Sequence, residues 1–344
     1  MTPTRRISVV AAMLNEEGQV GLLVEDLAAQ DFAGELEVLV ADGGSTDRSR
    51  ELLARAAAAA GLDVTIVDNP CGIVSTGLNA CIGRCTGELI VRIDCHTRYP
   101  ADYLSRCVRA ADETGAWNVG GVYEAVGRTT TERAVACALA TPFGGVNWTR
   151  DAGREERVDA DTVYLGAFRP FVFERVGLYS EDLVRNQDDE LNLRIRRAGG
   201  RIVFDPAIRS RYTPRGTLRA LGRQYYEYGL WKAVVMAEYR QILSARSLAP
   251  VVLVTSLVLL GGASLRSPMA RALLGSEVVA YGAASVGFAL TGRRQRGEPR
   301  RLVPRVAAVY PVLHVAYGVG MLMGAARLRL GGSRLQRGSS ASEA

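Results

Sequence analysis

The chain has 344 residues, of which 48% are hydrophobic and 23% charged, so it is too long for one small domain and too apolar for a disordered protein. Its formal net charge of +6 suits phosphate groups or an anionic membrane surface. No basic stripe interleaved with aromatic residues and no zinc-finger spacing occurs, which disfavours nucleic acid as a partner. The six cysteines, from Cys71 to Cys137, show no C-x-x-C spacing, which favours reduced thiols over disulfides or a zinc site.

The first part of the chain alternates between strand and helix patterns. Apolar runs at 7–13, 36–40, 64–67 and 90–93 predict buried strands, and the segments after the first three predict helices. This alternation is typical of βαβ units, so we predict a Rossmann-like α/β fold with a mostly parallel sheet. Neither a G-x-G-x-x-G motif after the first strand nor a P-loop occurs, which disfavours dinucleotide enzymes and P-loop ATPases. The apolar run at 7–14 is too short for a secretory signal, so we expect the N-terminal region to lie in the cytosol.

Acidic residues follow three of the predicted strands, at Glu16, Asp42 and Asp94. Ligands of open α/β sheets bind at the carboxyl ends of the strands, so we expect these carboxylates to surround one crevice. Asp94 and His96 lie two residues apart and can face one cavity as metal ligands, although a strand that ends in an aspartate turn is an equal alternative. Arg92 can assist in neutralising a bound diphosphate, or it can form a structural ion pair.

Four motifs together resemble the family 2 inverting glycosyltransferases, which have the GT-A fold. They are Met-Leu-Asn-Glu-Glu at 13–17, Asp-Gly-Gly-Ser-Thr-Asp at 42–47, Leu-Asn-Ala-Cys-Ile-Gly-Arg-Cys-Thr-Gly-Glu at 78–88 and Arg-Ile-Asp-Cys-His at 92–96. The longer similarity is to the membrane-attached succinoglycan and exopolysaccharide (ExoA-like) subgroup. This resemblance implies that Asn15, Glu16, Asp42 and Asp94 bind a nucleotide sugar. It also implies that Asp94 and His96 stand at the position of the Asp-x-Asp motif, which binds Mg²⁺ or Mn²⁺, with His96 replacing the commoner second aspartate.

An acidic triplet at 188–190 opens a predicted helix with arginines in its later turns, an arrangement that the helix dipole alone would explain. Inverting glycosyl transfer, however, needs a carboxylate base that deprotonates the acceptor hydroxyl. The resemblance implies that this base is Asp188, by alignment of Leu191 with the leucine of the family motif. Gln187 then replaces the family's glutamate, and Asp189 is the alternative base.

The segment before the last third carries features of an acceptor side. Arginines at 215, 219 and 223 share one predicted helix face, which would meet lipid headgroups or a lipid diphosphate, or would simply belong to an amphipathic helix packed on its own domain. The stretch from Gln224 through Tyr228 to Trp231 loosely resembles the family's Gln-x-x-Arg-Trp acceptor motif. We therefore expect these three residues on the acceptor side. The stretch 141–148 is interpreted as an acceptor-side loop.

The last third contains apolar segments at 248–265, 277–290 and 306–326, with an arginine-dense stretch at 292–305 that the positive-inside bias places in the cytosol. We predict a catalytic domain at 1–245, a membrane-attachment region with two or three helices at 246–330 and a disordered tail at 331–344. The predicted protein is a multi-pass protein of the cell membrane whose catalytic domain faces the cytoplasm.

The predicted function is metal-dependent, inverting transfer of a hexose from a UDP-sugar to a lipid-linked saccharide, in exopolysaccharide or cell-surface glycan biosynthesis. One alternative is a polyprenyl-phosphate sugar transferase, whose phosphate acceptor has less need of a base. Another is a membrane-bound scaffold that binds nucleotide sugars without turnover.

Overall fold

The computed structural model describes residues 5–144, 155–242 and 245–331. Their packing divides them into two units, one formed by residues 5–124 and 155–212 and the other by residues 125–144, 213–242 and 245–331. Residues 332–344, which contain nearly all of the predicted disordered tail, lie outside the described residues, as do 145–148 of the predicted acceptor-side loop.

The strands of the first unit are β1 (Arg6–Met13), β2 (Glu35–Asp42), β3 (Val64–Asp68), β4 (Ile90–Arg92), β5 (Thr97–Arg98), β6 (Asn118–Ala125), β7 (Val158–Asp159), β8 (Tyr164–Phe168) and β9 (Ile202–Tyr212). Within the described residues, they form one nine-stranded sheet in the order β3-β2-β1-β4-β8-β6-β9-β5, with β7 paired to β9. β1 pairs in parallel with β2 and β4, and β2 pairs in parallel with β3. β8 pairs antiparallel with β4 and β6, and β9 pairs antiparallel with β5 and β7. The predicted α/β fold is confirmed, and an antiparallel part extends the parallel half of the sheet.

The parallel strands form where the sequence has apolar side chains at consecutive positions. Val9 and Val10 of β1 are adjacent in sequence and both almost fully buried, as expected for a strand that is covered by helices on both faces. Helices of the first unit are α1 (Val20–Ala28), α2 (Ser49–Ala60), α3 (Val74–Ile82), α4 (Tyr103–Thr114), α6 (Phe171–Val176) and α7 (Gln187–Arg197).

The register of the parallel strands brings the predicted site segments to one edge of the sheet. Met13 at the end of β1 pairs with Asp42 at the end of β2, and Asp42 pairs with Asp68 of β3. Val10 of β1 pairs with Arg92 of β4, so the chain leaves β4 at the same edge. The segments that follow β1, β2 and β4 therefore start side by side.

The second unit consists of helices, three of which begin at a hydroxyl cap. The side chains of Thr129, Thr217 and Ser267 each accept a hydrogen bond from a backbone N–H in the first turn. Such caps satisfy N–H groups that have no partner inside the helix. These helices are α5 (Thr130–Leu139), α8 (Leu218–Tyr239), α9 (Ala249–Ser264), α10 (Pro268–Gln295) and α11 (Val303–Gly331).

Among the described residues, three helical segments are long and apolar enough to cross a membrane: Ala245–Ser264, Pro268–Gln295 and Arg300–Arg329. Large apolar side chains on the first of them point outward, with Val258 68% and Leu259 67% exposed. Burial in lipid would remove this apolar surface from water. Two or three helices were expected here, and the described residues contain three. The second begins at Pro268, nine residues before the predicted segment at 277–290, and this extension makes it long enough to span a bilayer.

Helix α8 is packed backbone to backbone against α11. A Cβ atom at Gly229 of α8 would lie 2.1 Å from the carbonyl oxygen of Tyr317, and one at Gly320 of α11 would lie 2.1 Å from that of Tyr226. Only glycine permits such an approach. The second unit therefore contains α5 and α8 together with the three apolar helices. The predicted boundary at residue 245, between a catalytic domain and a membrane-attachment region, stays a prediction.

Candidate active site

The loops after β1 and β2 are tied together by hydrogen bonds. The Oδ1 atom of Asn15 accepts from the backbone N–H of Thr46 at 2.9 Å, and the N–H of Asn15 donates to Ser45 Oγ at 2.9 Å. Asn15 itself has a φ of 53°, a left-handed conformation that asparagine tolerates better than most residues. The structure therefore gives Asn15 a role in joining the two loops, and its contact with a nucleotide sugar stays a prediction.

Asp42 ends β2 with its side chain only 2% exposed. Its Oδ1 accepts from Ser45 Oγ at 2.6 Å and its Oδ2 from Arg50 Nη1 at 2.9 Å. Burial alone would raise the pKa of this carboxyl, but the hydrogen bonds from Ser45 and Arg50 outweigh it and hold the pKa below its ordinary value. Asp42 is therefore an ionised acceptor at the edge of the sheet where the parallel strands end.

Asp94 lies two residues after β4, with 19% of its side chain exposed. The hydroxyl of Tyr164 donates a hydrogen bond to Asp94 Oδ2, and Arg92 Nη2 lies 3.5 Å from Oδ1. The backbone N–H of Asp94 donates to the hydroxyl of Tyr99 at 2.8 Å. Burial raises the pKa of Asp94, but the positive charge of Arg92 and the other contacts outweigh it, so the pKa is lowered.

His96 is more exposed than Asp94 and reaches toward the loop after β1. Its Nδ1 atom lies 3.3 Å from Oε1 of Glu16, and 52% of its side chain is exposed. Two predicted site residues, Glu16 and His96, thus come together from segments that follow different strands.

The acidic triplet at the start of α7 is split by the tertiary structure. Asp188 accepts a hydrogen bond from Arg92 Nη1. Glu190 instead forms a bidentate ion pair with Arg194, at 2.6 and 2.7 Å, within the same helix. Through Arg92, Asp188 is therefore joined to Asp94.

The surroundings of Asp188 favour a proton-accepting role. Burial raises the pKa of the Asp188 carboxyl; Arg92 opposes this rise, and the negative charges of Asp94 and Asp189 add to it. A carboxylate whose pKa lies above its ordinary value is a stronger base for an acceptor hydroxyl.

One contact of this site was not predicted from the sequence, and a second was predicted only as an ion pair without named partners. Tyr164 holds Asp94, although nothing in an apolar strand segment marks the tyrosine at its start as a site residue. Arg92 was expected to contact a diphosphate or to form an ion pair, and the structure shows it paired with both Asp94 and Asp188. The one available signal was an arginine inside an otherwise apolar strand, where a buried charge needs a partner.

The predicted acceptor-side residues lie on α8 in the second unit. Gln224 Nε2 donates to the hydroxyl of Tyr228 at 3.0 Å, so these two side chains are joined across one helical turn. Trp231, two turns after Gln224, is partly buried. An acceptor role for these residues stays a prediction.

The implied divalent cation would need carboxylate or imidazole ligands at this edge of the sheet. Within 5–144, 155–242 and 245–331, no group of three or more His, Cys, Asp or Glu side chains is arranged to hold a metal. Mg²⁺ nevertheless is commonly bound through one or two carboxylates together with substrate phosphates. The partly exposed carboxylate of Asp94, with His96 two residues away, fits a cation held in that way.

Comparisons with known proteins identify the family of the chain. The model of the family described as "Glycosyl transferase family 2" matches residues 8–163. The chain is 30% identical over 319 residues to the succinoglycan biosynthesis protein ExoA of Rhizobium meliloti (strain 1021), which covers 91% of this chain and 92% of that protein.

A more distant relative is the dolichyl N-acetyl-alpha-D-glucosaminyl phosphate 3-beta-D-2,3-diacetamido-2,3-dideoxy-beta-D-glucuronosyltransferase of Methanococcus voltae. It is 22% identical over 240 residues, 67% of this chain and 74% of that protein. Among solved structures, the mannosyltransferase PcManGT from Pyrobaculum calidifontis, in complex with GDP-Man and Mn²⁺, superposes with a TM-score of 0.66. That superposition has 21% sequence identity and covers 93% of this chain and 88% of the other.

The structural likeness establishes the fold, and the relationship to ExoA extends over nearly the whole chain. All four motifs, at 13–17, 42–47, 78–88 and 92–96, lie within the region that the family model matches. The chain is therefore a member of glycosyltransferase family 2, with the GT-A fold and the enzyme class that this family implies.

Proposed function

We propose that the protein catalyses inverting transfer of a hexose from a UDP-sugar to a lipid-linked saccharide. The observation that carries the proposal is that Arg92 forms ion pairs with both Asp94 and Asp188. It brings a carboxylate on the predicted donor side next to a carboxylate suited to act as a base. An inverting mechanism needs this combination, because the acceptor is deprotonated while the leaving group departs from the opposite face of the sugar.

On the donor side, Asp42 and Glu16 are the proposed contacts of the nucleoside. The ionised carboxylate of Asp42 can accept a hydrogen bond from the N3–H of uracil. A guanine N–H would suit the same acceptor, and the structural relative PcManGT holds GDP-Man. UDP is the proposed nucleotide, and GDP is the alternative that a donor panel decides.

In the proposed reaction, Asp188 takes the proton of the acceptor hydroxyl as the hydroxyl oxygen attacks the anomeric carbon. The bond from that carbon to the diphosphate breaks, and the diphosphate leaves with the electron pair. A divalent cation at Asp94, with His96 beside it, would supply Lewis-acid stabilisation of the departing diphosphate. Tyr164 and Arg92 hold Asp94 in place for this role.

The predicted attachment of the protein to a membrane is an argument for a lipid-linked acceptor. Three apolar helices long enough to span a bilayer follow the catalytic residues in the chain. The named activity of the Methanococcus voltae relative involves a dolichyl phosphate saccharide, and ExoA is named for succinoglycan biosynthesis. We therefore place the activity in exopolysaccharide or cell-surface glycan synthesis. The arginine-dense stretch at 292–305 supports a multi-pass arrangement with the catalytic domain in the cytoplasm.

The test is nucleotide release by membranes that contain the wild type, Asp188→Asn or Asp94→Asn. The assay covers UDP-sugars and GDP-mannose, with Mn²⁺, Mg²⁺ or EDTA, and with or without a lipid extract of the source cells. We expect release that requires one UDP-sugar, a cation, lipid and both aspartates, with Asp188→Asn lowering transfer by about a hundredfold or more.

Asp189→Asn is the matched control, because it removes the neighbouring charge and should leave most activity. Loss of activity in Asp189→Asn alone would move the base to that residue. Transfer to polyprenyl phosphate that survives Asp188→Asn would favour the polyprenyl-phosphate transferase. Binding of UDP-sugar without release under every condition would overturn the catalytic proposal and favour the scaffold.

A further inference from the structure

We propose that Arg92 is the positioning residue that sets the base Asp188 at a fixed place relative to the donor-side carboxylate Asp94. This inference rests on the proposed function. Arg92 contributes one guanidinium nitrogen to each carboxylate: Nη1 donates to Asp188 Oδ1, and Nη2 lies 3.5 Å from Asp94 Oδ1. A planar guanidinium with its nitrogens in a rigid fork fixes the relative position of two such partners, which an ammonium group does not.

The two carboxylates reach this arrangement from separate elements. Asp94 follows β4, whereas Asp188 lies in the first turn of α7. Two carboxylates that share a partly buried site repel each other unless a cation lies between them. Only 5% of the Arg92 side chain is exposed, so water screens its charge little. The electrostatic attraction between Arg92 and the two carboxylates is correspondingly strong.

Arg92 is itself held firmly. Its backbone belongs to β4, which pairs with β1, and its guanidinium carbon lies 5.7 Å from the ring centroid of Tyr179. The backbone of Tyr179 is fixed in turn by the side chain of Asn79, which accepts from its N–H at 3.0 Å and donates to its carbonyl at 2.9 Å. Because a strand and an aromatic ring hold the guanidinium of Arg92 in place, it can fix the position of Asp188 in the first turn of α7.

One feature of Arg92 argues against a role in stability alone. Its Nε atom is buried and, within the described part of the chain, has no hydrogen-bond partner. An unsatisfied buried donor costs free energy, and an apolar side chain at this position would avoid that cost. The guanidinium is therefore better explained by what it does for the two carboxylates.

The experiment compares Arg92→Lys and Arg92→Gln with the wild type, measuring kcat, donor KM and thermal unfolding in detergent. We expect Arg92→Lys to fold and to lower kcat about a hundredfold, because a base misplaced by about 1 Å loses that much. Donor KM should change far less, since Tyr164 still holds Asp94. Wild-type kcat in Arg92→Lys would overturn the inference.

Arg157→Gln is the matched control. Arg157 also joins two carboxylates of the first unit, Glu113 and Asp205, both at 2.5 Å, and neither belongs to the candidate site. We expect this variant to change thermal unfolding without the loss in kcat. An equal loss of kcat in Arg157→Gln would show that any broken ion pair of this unit has the same effect, and would overturn a specific role for Arg92.

A double-mutant cycle separates positioning of the base from general damage. If Arg92 acts through Asp188, Arg92→Lys should cost little more once Asp188→Asn is present, because residues that act as a unit are not additive. Losses that multiply would overturn the inference while the proposed function stands. A folded wild type without any transfer would overturn the proposed function and the role of Arg92 with it.

Discussion

The hydroxyl of Tyr164 donates a hydrogen bond to the carboxylate of Asp94, and so joins the first residue of β8 to the segment that follows β4. The two strands are antiparallel neighbours in the sheet, so the start of β8 lies beside the segment that follows β4. The antiparallel part of the sheet therefore contributes directly to a carboxylate at the edge where the parallel strands end.

Removing this hydroxyl should weaken donor binding. A hydrogen bond to a charged group contributes about 1.5–3 kcal/mol, so Tyr164→Phe should raise donor KM about tenfold or more, with a smaller effect on kcat. The measurement is initial-rate kinetics over a range of nucleotide sugar. Tyr103→Phe is the control, because the Tyr103 hydroxyl contacts the carbonyl of Leu165 at 3.5 Å and not Asp94. Unchanged donor KM in Tyr164→Phe would contradict the prediction.

Glu190 should matter for stability rather than for catalysis. Its side chain is only 2% exposed and pairs with Arg194, which also donates to the backbone carbonyls of Gly177 and Leu178 at 3.1 and 2.7 Å. Removing one partner of a buried ion pair costs about 3–5 kcal/mol, so Glu190→Gln should clearly lower the unfolding temperature of the solubilised protein. Glu51→Gln, which breaks an exposed ion pair with Arg48, should not. Equal unfolding temperatures for the two variants would contradict this assignment.

Arg50 should determine how the protein responds to acid. Because the pKa of Asp42 is lowered in the fold, its ionisation contributes stability above the ordinary carboxyl pKa of about 3.9, and this contribution is lost as pH falls through the lower folded pKa. Arg50→Met removes a hydrogen bond and a positive charge that lower the pKa of Asp42, so this pKa rises towards the value that burial favours. The loss of stability on acidification should therefore begin at a higher pH. Melting temperature measured against pH checks this.

The control for that experiment is Arg48→Met on the same helix. Arg48 pairs only with the exposed Glu51 in the ion pairs of the described residues, at 2.8 Å, so its loss should leave the acid limb of the profile unchanged. Identical acid limbs for Arg50→Met and wild type would show that Arg50 does not hold Asp42 in its ionised form.

The contact between α8 and α11 should not tolerate a side chain. Gly320→Val would place its Cβ 2.1 Å from the carbonyl oxygen of Tyr226, so the helices must separate and the variant should lose thermal stability. Gly287 of α10 has no neighbouring atom within 4 Å of an added Cβ, which makes Gly287→Val the matched control. Similar unfolding temperatures for both variants in one detergent would refute close packing of α8 on α11.

The sequence by itself determined the parts of this protein that depend on local pattern. Apolar runs gave the strands of the parallel half, and the motifs after them placed Asp42 and Asp94 at strand ends, as the structure confirms. Apolar stretches likewise predicted two or three C-terminal helices, of which the structure contains three. These features follow from periodicity and length, because residues close in sequence adopt one local conformation together.

Only the tertiary structure decided which of the local features meet. The helix dipole suits every carboxylate at the start of α7, so nothing local distinguished Asp188 from Glu190; packing turned one toward Arg92 and the other toward Arg194. The pairing of Tyr164 with Asp94 and the packing of α8 on α11 were likewise invisible in the sequence. Contacts between distant segments depend on how whole strands and helices pack, and the identity of a side chain does not reveal its partner.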